Sequence, residues 1–347
     1  MYLVDIKRNG KPVYDARVNQ SIDNYLVNDL KLPGRGGFML YINRPSVIIG
    51  KNQNVWAEVD TDYLHENDIE LVRRTSGGGG AVYHDLGNLV FENILVDDTS
   101  HFNDYSYFAE PVLKALQKLG LDVSMKENSS DLILDGKKFS GMTMFKNGNN
   151  LAAGGTVMYD LNVDAAKHVL TEDPAEKDKK LGVASKRSQI INLKDFLPND
   201  MTIEDLREAI LKEVFDVDSV DDIETYEFNS QDWDIIDKRL ADEYGTDEWN
   251  FGRNPGYDRY FDSDLANGKM GGINFSIDTG FFTRFKFNPF FKVEGDLHAV
   301  EESLVGGAAN EEGIKAAVSV GHLKNISESE LTDFIVRSLQ DNQGLIS

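Results

Sequence analysis

The stretch FMLYINRPSVIIG (residues 38–50) holds two apolar runs separated by Asn43, Arg44 and Pro45, which predicts a strand, a turn and a second strand. IELVRR (69–74) is another short strand that leads into four glycines, and NLVFENILV (88–96) resumes a strand pattern. The glycines therefore link two strands, unlike a phosphate loop that opens a helix. Between residues 106 and 119, Phe108, Val112, Leu116 and Leu119 keep helical spacing, with Gly120 placed to end the helix, so one sheet face is expected to be covered. DLILDGKKFSGMTMF (131–145) reads as a hairpin turning at Asp135 and Gly136, and LAAGGTVMYDL (151–161) as a further strand.

Residues 171–189 are charged and without period, which predicts a long surface loop or a short helix, the kind of segment that often carries function. Thr202 is placed to cap a helix with Asp205 as the capping-box acid and Ile203, Leu206, Ile210 and Val214 on one face. That helix is expected to close the main domain. An acidic, weakly patterned region follows at 216–234, and a second alternating set begins near Gly271 with GGINFSIDTGFFTRFKF.

At 347 residues the chain exceeds one ordinary core of about 100–200 residues, so a main domain with a smaller companion is expected. No apolar run approaches the roughly 20 residues of a membrane-spanning helix, and the first residues lack the apolar core of a secretion signal, so a cytoplasmic protein without a membrane partner is expected. A net charge of −23 argues against a nucleic-acid partner. The absence of cysteine removes disulfides, thiolate metal sites and any thioester intermediate on this chain. Six histidines without an HExxH pair make a histidine-built zinc site unexpected, and any metal is expected to arrive with a phosphate.

Candidate chemistry centres on RRTSGGGGAVYHDLGN (73–88). Glycines let backbone approach a ligand, their amides can form an anion-binding concavity, and Arg74 adds a fork suited to phosphate or carboxylate. Taken alone, a glycine-rich turn is more often merely mobile. In GKKFSG (136–141), Lys138 could hold two anions together, with Ser140 expected on the same strand face by the period of two; two solvent lysines beside a turn is the plainer reading. His84 and Asp85 are adjacent on a strand and point to opposite faces, so a binding or structural role is expected over a catalytic pair. The basic residues Lys177, Lys179, Lys180, Lys186 and Arg187 form either a solvated face or a loop that folds over phosphates.

In combination these stretches resemble the lipoate–protein ligase A family, whose pattern is close to RRxSGGGAVYHDxGN, then NDL, GKKxSG and HHGT. Here they stand as RRTSGGGGAVYHDLGN, SDL (130–132), GKKFSG and AGGT (153–156), with IIGKNQN (48–54), GVASKRSQIINL (182–193) and EWNFGRNPGYD (248–258) also in family order. The resemblance spans nearly the whole chain. It implies an α/β (α+β) fold, with a mixed β-sheet and flanking helices of the biotin/lipoate ligase type over residues 1–247, and a small C-terminal α/β accessory domain at 248–347.

The resemblance further implies an enzyme that activates lipoate or octanoate with ATP and Mg2+ to an acyl-adenylate. The acyl group would then pass to a lysine of a 2-oxoacid dehydrogenase E2 domain or the glycine-cleavage H protein. Carried over position by position, Lys138 would bridge phosphate and acyl oxygen. Arg74, Ser76, Gly79, Gly80, Ala81, Val82, Tyr83, His84, Asn88, Asp131, Ser140, Gly141, Gly155 and Thr156 would line the substrate and nucleotide site. Lys180, Ser185 and Arg187 would belong to an adenylate loop, and Asp131 would help position Mg2+.

The chain departs from the family in its fourth glycine, in Ser130 for asparagine, in Ala153 and Gly154 where paired histidines are expected, and in its acidity. An acyltransferase using preformed lipoyl-adenylate, or a non-catalytic lipoate- or adenylate-binding homologue, are the alternatives these changes leave.

Overall fold

The computed structural model describes residues 1–30, 32, 36–76, 79–170, 182–185, 187–265, 268, 270–289 and 291–341. Two compact units form. One comprises Met1–Lys51, Glu70–Leu170 and Ser185–Tyr244; the other holds Asn52–Ile69, residues 182–184 and the chain from Gly245 onward.

The first unit is built on an eight-stranded sheet. In chain order its strands are β1 (Tyr2–Asp5), β4 (Gly37–Ile42), β8 (Asn88–Leu95), β9 (Val123–Met125), β10 (Asp131–Leu134), β11 (Lys137–Asn147), β12 (Asn150–Met158) and β13 (Thr225–Glu227). A two-residue hairpin, β2 (Lys7–Arg8) and β3 (Lys11–Pro12), lies outside it. Spatial order is β13-β1-β4-β8-β12-β11-β10-β9, with β1 parallel to both neighbours and the remaining pairs antiparallel. A second, three-stranded sheet joins β5 (Ser46–Ile49) to β6 (Glu70–Arg73) in parallel and to β7 (Val82–His84) antiparallel. The glycine run thus connects β6 to β7, strand to strand as its flanking patterns predict.

Alternation sorts the large sheet into two faces. Phe38 and Leu40 of β4, Leu89 and Phe91 of β8, and Leu151, Ala153 and Val157 of β12 form a dry core with α4 (Tyr105–Lys118) and α6 (Ile203–Phe215), the short α5 (Val163–Val169) falling between these helices in the chain. The intervening residues Met39, Tyr41, Val90, Ile94 and Ala152 face α1 (Ala16–Asn28), which contributes Ile22, Tyr25 and Leu26. Thr202 caps α6 as predicted, and its capping box with Asp205 is closed from both sides.

The expectation that α6 closes the main domain is corrected. Beyond it β13 pairs with β1, and α7 (Ser230–Arg239) follows in the same unit. The segment from 216 looks unpatterned because its strand is only three residues long and α7 buries little. Ile236 joins the core under α1, Asp232 accepts from Tyr25 Oη at 2.6 Å, and Asp237 holds Arg8.

The second unit carries an antiparallel sheet of β14 (Arg259–Asp264), β15 (Met270–Asp278) and β16 (Phe281–Pro289). Ile273, Phe275, Phe282 and Phe285 pack against α8 (Leu297–Leu304), α9 (Glu311–Val318) and α10 (Glu328–Gln340). Two short helices, α2 (Val55–Glu58) and α3 (Thr61–Glu66), belong to this unit; the Val55 amide donates to Asn254 at 2.8 Å.

Candidate functional site

Strand register sets the site out on the α1-facing side of the large sheet. Gly141 (β11), Thr156 (β12), Val90 (β8) and Tyr41 (β4) make one row across it; Thr143, Gly154, Glu92 and Met39 make the next. Four of these eight positions are glycine or threonine, so the face is low at its β11–β12 side. The amide of Gly141 points toward Thr156 Oγ1 at 3.5 Å.

Lys138 lies at the edge of this lowered face. Its ammonium is 2.8 Å from Asp131 Oδ1, both side chains being largely buried. A Cβ at Gly141 would come within 2.6 Å of Lys138 Nζ, so the glycine leaves the space the lysine occupies. The Asp135-Gly136 turn that joins the two strands has φ of +51° and +73°, as a tight hairpin of this composition requires.

The register shifts between Leu132 and Ile133: Leu132 pairs with Ser140 and Ile133 with Lys138, leaving Phe139 as an extra residue. This bulge corrects the expectation that Lys138 and Ser140 share a face. Because the inserted residue resets the alternation, Lys138 stays beside Asp131, whereas Ser140 pairs with core-facing Leu132 and is fully buried. Its hydroxyl has no partner among the described residues.

Over the face come Gly79 and Gly80, the described glycines of the run. Gly79 has φ +74°, and its ideal Cβ would lie 2.9 Å from Thr143 Cγ2 and 3.5 Å from an Arg74 nitrogen, which places all three together. Arg74 is buried and donates to the carbonyls of Ile48 (3.3 Å) and Gly80 (3.2 Å). Burial lowers its pKa to about 10, with Glu92 opposing the shift, so the guanidinium remains charged at neutral pH. Ser76 accepts the Lys51 amide at its carbonyl.

Sequence reasoning gave no role to Arg73. It is fully buried and holds the carbonyls of Gly50 and Lys51, fixing the turn against which the run starts. A buried arginine of this kind carries no periodicity signal that separates it from its neighbour.

Ser185 is brought to the same loop. Its hydroxyl accepts the Ala81 amide at 2.9 Å, and a Cβ on Gly80 would clash with it at 2.6 Å. Arg187 is exposed, and Lys180 lies outside the described residues, as does most of the basic segment around it. Downstream, the carbonyl of Gln189 accepts the Lys138 amide and the Ile191 amide donates to the Lys138 carbonyl, both at 2.9 Å. The end of the long loop therefore pins the backbone of Lys138, a contact that no local pattern announces.

Ala81 and Tyr83 are buried and Val82 half-buried on or beside β7. His84 is held at Nδ1 by the Asn43 side-chain amide at 3.0 Å, and burial together with the Arg74 charge lowers its pKa to about 3. It is a neutral imidazole. Asp85 instead accepts the amides of Gly87 and Asn162, so the two residues serve different partners and form no dyad. Asn88, on the α1-facing side of β8, is buried with both amide atoms unpartnered among the described residues. Gly155 takes the opposite face, where a Cβ would meet the Gly141 carbonyl at 2.6 Å.

The lipoyl protein ligase A/B catalytic domain matches residues 15–215 of this chain. A lipoate-protein ligase of Bacillus subtilis is 35% identical over 94% of this chain and 98% of its own length. The chain belongs to the lipoate–protein ligase family. Among solved structures, a bi-partite lipoate protein ligase of Thermoplasma acidophilum, described with its E2 lipoyl domain, has a TM-score of 0.60 at 27% identity, over 73% of this chain and 96% of that one. A lipoate-protein ligase A bound with ATP has a TM-score of 0.59 at 24% identity, covering 73% and 98%, and shares the fold. The mixed sheet with flanking helices expected from the motifs is thus the fold of this family.

No group of three histidine or acidic side chains fit to hold a metal occurs among the described residues. Asp131 is a single carboxylate already paired with Lys138. That donor set fits a Mg2+ carried mainly by phosphate oxygens and water, and does not fit a resident ion held by protein alone. No helix among the described residues is long and apolar enough to cross a membrane.

Proposed function

We propose that this protein is a cytoplasmic, ATP-dependent ligase that activates lipoate or a related medium-chain acid and transfers it to a lysine of a lipoyl-accepting domain of E2 or H-protein type. The observation that carries this reading is the convergence, on one lowered sheet face, of the Lys138–Asp131 pair, the Arg74 cation and the Gly79–Ala81 backbone.

Activation brings two anions together, and their repulsion is the main obstacle. In the first step a carboxylate oxygen of the acid attacks the α-phosphorus of ATP, the α–β bridging P–O bond breaks, and pyrophosphate leaves. Lys138 offsets charge where the acyl oxygen meets the phosphate, and Arg74, buried and fixed by backbone carbonyls, supplies a second cation that needs no reorganisation. Asp131 orients the lysine ammonium. Asp131 would be the protein carboxylate beside a Mg2+ arriving with ATP, which would supply neutralisation of the phosphate charge.

In the second step a neutral lysine amine of the acceptor attacks the acyl carbonyl and the C–O bond to AMP breaks. The amide forms, AMP leaves with the bonding pair, and the amine proton passes to solvent. No residue of this chain becomes acylated, in keeping with the absence of cysteine.

The test is pyrophosphate release from ATP in the presence of lipoate, before acceptor is added. Release that requires the acid supports the ligase reading. Transfer from synthetic lipoyl-adenylate without any release from ATP would replace it with an acyltransferase reading.

A further inference from the structure

Gly154 stands where the family pattern has a histidine, and its neighbour across β8 is Glu92. A Cβ at Gly154 would lie 2.1 Å from the Phe91 carbonyl and 2.8 Å from Glu92 Oε2, so the carboxyl of Glu92 fills the place a side chain would take. From α1, Asp23 approaches the same spot: the two carboxyls act on each other, and Asp23 Oδ1 is buried without a partner among the described residues. Glu92 lies on the sheet face that carries Gly141, Thr143 and Thr156, away from the Lys138 edge, and Asp23 on the helix that covers this face. The unpartnered amide of Asn88 is on this face too.

We propose that Glu92 and Asp23 are specificity-determining residues for the acyl tail, forming a polar end to the recess that favours the sulfur-bearing ring of lipoate over a plain saturated chain. The inference rests on the ligase reading for the identity of the reaction, with Lys138 marking the carboxylate end of the substrate and the lowered face running from it toward Glu92.

Burial raises the pKa of Asp23 to about 7, and burial together with Asp23 pushes Glu92 well up, while Arg74 opposes that shift. At neutral pH the pair therefore keeps a proton and presents an O–H donor. A disulfide sulfur is a weak acceptor for it, whereas a methyl end leaves the donor unpaired in a dry site. The other groups facing the pair are Tyr41 on β4, itself raised by burial and by both carboxyls, Gln20 on α1, which hydrogen-bonds Tyr41, and Tyr244, which feels Asp23. None of these supplies a cation besides Arg74. Above about pH 7 Asp23 ionises, and the recess then accepts either apolar tail less readily.

The experiment compares lipoate and octanoate, by calorimetric binding and by the ratio of kcat/KM values in adenylation, for the wild type, Glu92→Met and Glu92→Gln, with pH profiles for the wild type and Asp23→Asn. The wild type should favour lipoate. Glu92→Met should lower the lipoate-to-octanoate ratio about tenfold, and Glu92→Gln, which keeps a donor, should restore most of it. Lipoate affinity should fall above about pH 7 in the wild type and stay level in Asp23→Asn. An unchanged ratio in a folded Glu92→Met protein, or a wild-type profile identical to that of Asp23→Asn, would overturn the proposal. Adenylation of neither acid by the wild type would defeat the ligase reading instead, and the calorimetric comparison would still decide the tail preference.

Discussion

The two faces of the eight-stranded sheet are made by the same strands and do opposite work. On one, Phe38, Phe91, Leu89, Leu151 and Val157 interlock with α4 and α6 in a core whose buried polar exception is Ser140 on β11. On the other, the residues between them are Tyr41, Val90, Glu92, Gly154 and Thr156, and the sheet is left low, partly acidic and overlooked by a glycine run. A period of two lets one strand make a core with its odd residues and a ligand surface with its even ones. Substitutions one residue apart on β8 or β11 should therefore fail in different ways.

The largest effect belongs to the ligand face. Lys138→Ala should slow adenylate formation by on the order of a thousandfold while the protein stays folded, because it removes a preorganised cation and no hydrophobic core contact. Single-turnover adenylation at an unchanged rate would break the comparison. Phe91→Ala, next to Glu92 but pointing the other way, should cost about 3–5 kcal/mol in denaturant unfolding without altering acyl preference. A selective change in preference with intact stability would mean that the faces are not separate.

Gly141→Ala should leave folding nearly untouched, since the atom in its way is the far end of the Lys138 side chain. Displacing that ammonium should lower the adenylation rate about a hundredfold, measured by pyrophosphate release. Smallest is Thr202→Ala, which opens the capping box of α6 far from the ligand face and should cost about 1 kcal/mol of stability with kinetics unchanged.

Much of this was legible in the sequence because it is local. The strands at 37–42 and 46–49, the α4 spacing and its stop at Gly120, the Asp135-Gly136 turn and the Thr202 cap all follow from patterns within a dozen residues. The ordered motifs pointed to the family. What escaped was set by pairing at a distance. The bulge at Phe139 turns Ser140 away from Lys138, and nothing in GKKFSG records it. Residues 189–191 hold Lys138 from fifty positions away. Strand β13 is recognisable only once β1 offers an edge, and the Asp23–Glu92 pair only once α1 lies over β8. The absence of a histidine at 154 was visible in the chain; what fills its place was not.

The central claim is that the ligand face, with Lys138 at its edge, makes an acyl-adenylate and passes it to a lysine. Mass spectrometry of an E2 lipoyl domain incubated with ATP, Mg2+ and lipoate tests it most directly. The account predicts a lipoyl mass increment on the acceptor lysine with the wild type, none with Lys138→Ala, and the increment restored in that variant when lipoyl-adenylate is supplied. An unmodified domain with the wild type, while a control ligase modifies the same preparation, would contradict it.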